Sequence, residues 1–301
     1  MGQRHEGHLE SKVQEYLTNE LSGSELTSFL LQVFKSRTNR ITPSELVKHY
    51  AANRFVQPAE LDALSLKRLE LELLQFAVDR RVRPMQLSPV TALGCASVVG
   101  TVDQHKVVSA LRGVEVVSDA TNAMALHIAK LKKTASVAKG ETVRLCTTHR
   151  HLRAQYFGEK PGLLPHFHLF CMVTAGEDEG SYRFEKAAFR EHIGFYRDFF
   201  ENALGAPTEV VVSLRSGYKD AEGFLERMLQ EGDAAGFNIN VKEPNLENRY
   251  YQGLQFTLKT FLRGQECVVG DGGFVDWTQK LVGKKKERLL ISAIGLDRLL
   301  T

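Results

Sequence analysis

A chain of 301 residues with 43% hydrophobic and 25% charged side chains has ordinary globular composition, which excludes collagen-like, disordered and coiled-coil readings. At about 150 residues per domain, that length predicts about two domains. Lys and Arg number 39 against 36 Asp and Glu; the formal charge of +3 excludes a chain dominated by nucleic-acid electrostatics without forbidding a local basic patch.

Four Cys without a CxxC pair suit a reduced cytosolic protein better than a secreted disulfide scaffold. No stretch reaches the ~18 apolar residues needed to span a membrane. Met1 to Glu10 carries His, Glu and Arg with no apolar core, unlike a secretory signal. A cytoplasmic protein without membrane contact is expected.

Residues 1–58 read as short helices. Leu26, Phe29, Leu30, Leu31, Val33 and Phe34 cluster at helical spacing, and Thr42-Pro43-Ser44-Glu45 has the capping-box pattern that starts a helix. This stretch is expected to be a small helical unit, a scaffold or dimer-contact appendage, with residues 59–301 forming the core. Glu60 to Arg81 predicts a longer helix with Leu61, Leu64, Leu69, Leu73 and Phe76 on its apolar face, passing into a strand that stops near Pro89. Beyond it, β-branched runs predict strands at 96–102, 114–117, 142–146, 167–174, 209–214, 253–262, 266–269 and 289–293. Helices are expected at 120–133, 184–204 and 220–230. Strands in adjacent pairs with helices between the groups predict an α+β domain on a mainly antiparallel sheet. Lys284-Lys285-Lys286 reads as a solvated loop.

Three segments carry chemistry. His149 to Gln155, followed by a loop and Pro165 to Phe170, reads as a hairpin with His149, His151, Arg153 and Gln155 on one face and Arg150 and Leu152 on the other. Glu159 to Gly162 makes the connection turn-like, and Arg153 is suited to bidentate binding of a phosphate or carboxylate. Gly270 to Asp276 reads as a strand followed by paired glycines that allow close backbone approach. Ile291 to Leu300 reads as a strand leading through Gly295 into a short helix with Arg298 in its first turn, where a cation is unfavourable unless it serves an anion. Cys146, His149, His151, His166, His168 and Cys171 offer enough donors for zinc, but strand alternation divides them between two faces, so satisfied strand histidines are expected and no metal site.

In this order, the segments resemble the catalytic core of class II aminoacyl-tRNA synthetases, nearest to the histidyl branch, which includes the regulatory subunit of ATP phosphoribosyltransferase. Arg153-Ala154-Gln155 with Phe167 resembles motif 2, whose Arg contacts the ATP α-phosphate and whose Phe stacks on adenine. Leu289 to Leu300 resembles motif 3, with Arg298 as the second ATP-binding Arg. The helix from Glu60 and its following strand are similar to motif 1, the dimer element. Ser118-Asp119-Ala120-Thr121 resembles the branch's substrate-contacting turn, Tyr250-Tyr251-Gln252-Gly253 its Tyr-Tyr-Thr-Gly stretch, and Gly272-Gly273-Phe274-Val275-Asp276 its Gly-Gly-Arg-Tyr-Asp. The likeness covers residues 60–301.

The departures fall on the amino-acid side. Gln155 stands where motif 2 has Glu. The family's Gln and Glu that hold histidine's amino group fall on Leu169 and Val173. The Arg that assists histidine activation aligns near Leu246, with Arg249 close by, and Val275 replaces the pocket Tyr. A more apolar pocket is expected, which would leave polar groups of free histidine unpaired.

The resemblance therefore implies an ATP-binding protein that adenylates a small carboxylate other than histidine. Arg153, Gln155, Phe167 and Arg298 would hold ATP with Mg2+, and Asp119, Thr121, Tyr250, Tyr251, Gly272 and Gly273 would line the acid pocket. It implies a homodimer. The alternative it implies is a non-catalytic regulatory paralogue with a protein partner. With only Thr301 after motif 3, no anticodon-reading domain and no tRNA are expected.

Overall fold

The computed structural model describes residues 2–155, 164–244, 247 and 250–300. Helices α1 (Gly2–Glu15), α2 (Gly23–Thr38) and α3 (Pro43–Ala52) open the chain. Capping boxes start two of them, Ser22 with Glu25 and Thr42 with Glu45, each side chain taking the other's backbone N–H. None of the described side chains in these three helices is buried. Their stability comes from caps and propensity rather than from a core of their own.

Helix α4 (Ala63–Asp79) starts at Asp62, whose Oδ1 accepts the Ser65 N–H at 2.7 Å. Leu66, Leu69, Leu73 and Ala77 form its core face, together with the buried carboxylate of Glu70. Leu61 and Leu64, expected on that face, are not on it. Leu64, Leu71 and Val78, seven residues apart, make an outward stripe that is 65%, 68% and 50% exposed.

Strand β1 (Arg83–Pro84) is only two residues long. After it come β2 (Val90–Ala92), β3 (Ser109–Ala110), β4 (Val114–Val116), α5 (Ala120–Lys133), β5 (Val143–Leu152) and β6 (His166–Glu177). The chain continues through α6 (Arg183–Leu204), β7 (Thr208–Leu214), α7 (Ala221–Ala234), β8 (Ile239–Lys242), β9 (Gln252–Leu262), β10 (Gln265–Val275), α8 (Trp277–Val282), β11 (Glu287–Gly295) and α9 (Leu296–Leu300). Eight strands form one sheet in the order β1-β5-β6-β11-β10-β9-β7-β8, parallel only at the outer pairs β1–β5 and β7–β8. The architecture is α+β, as the sequence predicts.

Helices cover both faces. On one, α6 presents Phe189, His192, Ile193, Tyr196, Phe199 and Phe200 at helical spacing, and Phe195 stacks on Phe170 of β6 with centroids 5.3 Å apart. Leu73 of α4 and Phe224 of α7 join that core. On the other, Met124 and Ile128 of α5 meet Trp277 of α8 and Ile291 of β11. Among the described residues, no helix is long and apolar enough to cross a membrane.

The run 96–102 is not a strand: Cys95–Val99 forms a turn of wide helix. The reason lies in β4. Glu115 is 1% exposed, and its carboxylate accepts the N–H groups of Gly94 at 2.9 Å and Ala96 at 2.8 Å and the Gln104 side-chain amide at 3.0 Å. Two backbone donors are thereby bent toward one side chain, which overrides the β propensity of Val98 and Val99. Glu115→Ala should lower stability by about 2–3 kcal/mol, because those donors lose their acceptor. Urea unfolding measures this, and a loss under about 0.5 kcal/mol, an ordinary surface effect, would show that the turn holds without it.

Gly270 to Asp276 is also revised. The glycines do not follow a strand; they lie inside β10, paired to both β9 and β11. A Cβ on Gly272 would sit 2.3 Å from the Phe256 ring, and one on Gly273 2.6 Å from the Tyr251 ring. Glycine is required there for side chains to cross the strand.

Candidate functional site

A cavity of about 540 Å³ opens beside the N-terminus of α5, where β5 stops and β6 begins, against the middle of β10. Arg153, Gln155, Phe167, Arg298, Asp119, Thr121, Tyr250 and Tyr251 all line it. Segments as much as 179 positions apart (119 to 298) thus converge on one space. Gly272 and Gly273 do not line it; Gly273 instead supports the Tyr251 ring from below.

The cationic end is built where the chain leaves β5. The last paired residues are Leu152 and His166. Past them the Arg153 N–H donates to Pro165 O at 2.8 Å and its Nε to Ser118 O at 3.0 Å. The guanidinium carbon lies 5.0 Å from the Phe167 ring centroid, within cation–π reach. The Phe167 ring is stacked on His151 at 5.9 Å with planes 10° apart. His151 and His149 do share the Arg153 side, as alternation predicts. His151 Nδ1 bonds to His149 O at 2.9 Å while Nε2 accepts the Ala120 N–H at 2.8 Å, so the ring is neutral and closes the first turn of α5. Burial pushes its pKa down to about 3.

Arg298 is carried by the turn from β11 into α9. Its Nη1 donates to Val268 O at 2.8 Å, and the side chain is exposed at the cavity rim.

The acidic end is built from α5 and β10. Asp119 caps α5: its Oδ1 accepts the Thr121 N–H at 2.9 Å and hydroxyl at 2.6 Å, and its Oδ2 accepts the Tyr250 hydroxyl at 2.6 Å. Burial works against charge on Asp119, but the Arg153 guanidinium and the Thr121 and Tyr250 donors outweigh it, holding the carboxyl below its usual range. Asp271 shows the opposite balance. Its Oδ2 accepts Tyr251 OH at 3.2 Å and Gln255 Nε2 at 3.1 Å, yet burial, reinforced by the Asp119 charge, raises it.

Asp271, Gln255 and Lys106 line the cavity and were not anticipated. Asp271 left a signal: on the two-residue period of β10 it shares its face with buried Gly273 and Val275. A carboxylate on an inward-facing parity needs a purpose. Beside its apolar lining, the cavity carries three carboxylates, Asp119, Asp271 and Asp297, and two phenols, Tyr250 and Tyr251. Of the positions expected to make it apolar, only Leu169 lines it, whereas Val173 and Val275 are buried in the core beneath α5. Leu246, Arg249 and the Glu159–Gly162 turn lie outside the described residues.

The six zinc-donor candidates are spread over both faces. His166 Nδ1 accepts from Arg150 Nε at 3.0 Å, His168 Nδ1 contacts Arg150 Nη1 at 3.2 Å, and His168 Nε2 meets Glu70 at 2.6 Å. Cys146 is buried and its thiol is pushed up to about 12 by that burial. Among the described residues, no three His, Cys, Asp or Glu side chains are grouped to hold a metal ion.

No family model and no curated protein sequence matches the chain. Solved structures do. The apo S. aureus histidyl-tRNA synthetase aligns with TM-score 0.57 and 13% identity over 78% of this chain and 65% of its own. An ATP phosphoribosyltransferase regulatory subunit/histidyl-tRNA synthetase from Bacillus halodurans aligns with TM-score 0.59 and 10% identity, over 81% and 82%. A histidine–tRNA ligase subunit from Alicyclobacillus acidocaldarius aligns with TM-score 0.56 and 14% identity, over 82% and 95%. The chain spans about two thirds or less of the first synthetases it matches. The fold is class II synthetase-like.

Proposed function

We propose that this protein binds ATP and uses it to adenylate a small carboxylate that carries an ammonium group. One observation carries the reading: a single cavity brings the Arg153 and Arg298 cations and the Phe167 ring together with the carboxylates of Asp119 and Asp271. Arg153 and Arg298 would take the phosphates, Phe167 and Gln155 the base, and Asp119 with Asp271 the ammonium. The residues fit the nucleotide, since Arg153 is half-buried with only part of its donor set used by Ser118 O. Mg2+ would enter on the nucleotide's own phosphates. No side chain is needed as nucleophile. The acid's carboxylate oxygen bonds to the α-phosphorus, the α–β bridging bond breaks, and pyrophosphate leaves. The chain orients both partners and neutralises developing charge. Titration with ATP, followed by pyrophosphate exchange across an amino-acid panel, tests the reading. Absence of ATP binding at millimolar concentration would overturn it.

One observation favours a second reading, a non-catalytic regulatory paralogue: Arg153 lies over the Phe167 ring that adenine would have to stack on. Such a protein would bind a ligand without pyrophosphate exchange.

The homodimer is proposed on the α4 stripe of Leu64, Leu71 and Val78, a seven-residue repeat of exposed apolar side chains. Leu71→Glu should weaken self-association by about 30-fold or more, the scale of an interface hot spot. Light scattering on the eluting peak reads this, and a variant that stays dimeric would remove α4 from the interface. The four free cysteines agree with a cytoplasmic setting.

A further inference from the structure

The segment between α3 and α4 meets the β5–β6 hairpin where β5 ends and β6 begins. Arg54 Nη2 donates to Ala154 O at 2.7 Å and Nη1 to Gln155 O at 3.1 Å. Three residues on, Gln57 O accepts from His166 Nε2 at 2.6 Å, and the other nitrogen of that ring accepts from Arg150. The strap therefore grips the strand that leads into the candidate site and the strand that leads out, across about 100 positions of sequence. The Arg54 guanidinium is braced over the Phe55 ring at 4.4 Å.

Residues 153–155 have left the sheet and lack ladder partners. The Ala154 N–H donates to Lys106 O at 2.9 Å, and Lys106 and Gln155 both line the cavity. A forked cation on two successive carbonyls fixes the orientation of both peptide planes, which no single-point donor does. Gln155 is thereby held from behind by a residue outside the synthetase-like core.

We infer that Arg54 is a positioning residue: it sets Gln155 at the base-binding end of the cavity and ties the N-terminal helical unit to nucleotide recognition. The inference rests on the ATP reading for its binding arm only, because the positioning itself is read from backbone exchange.

In the full-length protein, Arg54→Ala should weaken ATP binding about tenfold, the loss of a charge-assisted pair. Binding of inorganic tripolyphosphate, which has no base, should be unchanged. Hydrogen exchange at the amides of Arg153 and Ala154 should quicken while the amides of α6 stay protected. Arg54→Lys should fall between, since one ammonium cannot hold both carbonyls in the same planes. If the wild type binds no ATP but exchange at 153 and 154 quickens in Arg54→Ala, the positioning role stands and the nucleotide reading fails. Unchanged exchange at those amides would overturn the inference, as would an equal loss of ATP and tripolyphosphate binding.

Discussion

Replacing Arg153 with Ala should weaken ATP binding by about 100-fold and abolish measurable pyrophosphate exchange, the scale expected when one preorganised charged donor is removed from a site that stabilises phosphate charge. Two effects add. The phosphates lose a cation, and Asp119 loses its principal favourable charge, so that burial prevails and its carboxyl rises toward protonation. A carboxylate that protonates no longer attracts an ammonium. Both ends of the cavity therefore weaken through one substitution, and Arg153→Lys should recover the phosphate contact more than the orientation. Titration at constant ionic strength separates these, and unchanged ATP affinity in Arg153→Ala would refute the placement of the phosphates.

Acid should destabilise the fold strongly. His151 and His192 are both buried, and burial pushes each down to about 3. His192 lies between Thr174 at 3.0 Å and Ser292 at 2.8 Å, and Tyr196 OH reaches the same Ser292 hydroxyl at 2.8 Å. A neutral ring serves both hydroxyls; a charged one would carry the full penalty of burial. Because the folded pKa lies below the unfolded value near 6.5, the unfolded chain binds protons first as pH falls. The stabilisation is complete above the unfolded pKa and is lost between it and about 3. Between pH 7 and pH 5 each ring should cost about 2 kcal/mol, together about 4 kcal/mol. Urea unfolding at the two pH values measures this. In His192→Gln the pH-dependent loss should fall by about half; an unaltered slope would assign the proton uptake elsewhere.

The chemistry-bearing strands were legible because period-two alternation and local turn chemistry are properties of short windows. The His149–His151–Arg153 face and the α5 start at Asp119 are read from six or seven residues each. What escaped depended on partners far away in sequence. The Cys95–Val99 turn exists because Glu115 takes its amides, and nothing in the apolar run itself signals that. The glycines of β10 read as following a strand because the rings they make room for, Phe256 and Tyr251, come from a neighbouring segment of the chain. Strand β8 escaped because four residues of mixed polarity carry no period. Asp271 was visible in parity, but its role emerges only when β10 pairs with β9, which brings Tyr251 and Gln255 to it.

The two margins of the sheet are short. Strand β1 offers two residues, one of them Pro84 with no N–H to donate, and β8 offers four with the Lys242 ammonium at its end. Neither presents a row of open backbone groups long enough to template an added strand. Among the described residues, growth of this sheet by edge-to-edge recruitment, the usual route from a crowded β protein to fibrils, is disfavoured at both sides. Self-association is therefore expected through helix faces such as the α4 stripe rather than through the edges of this sheet.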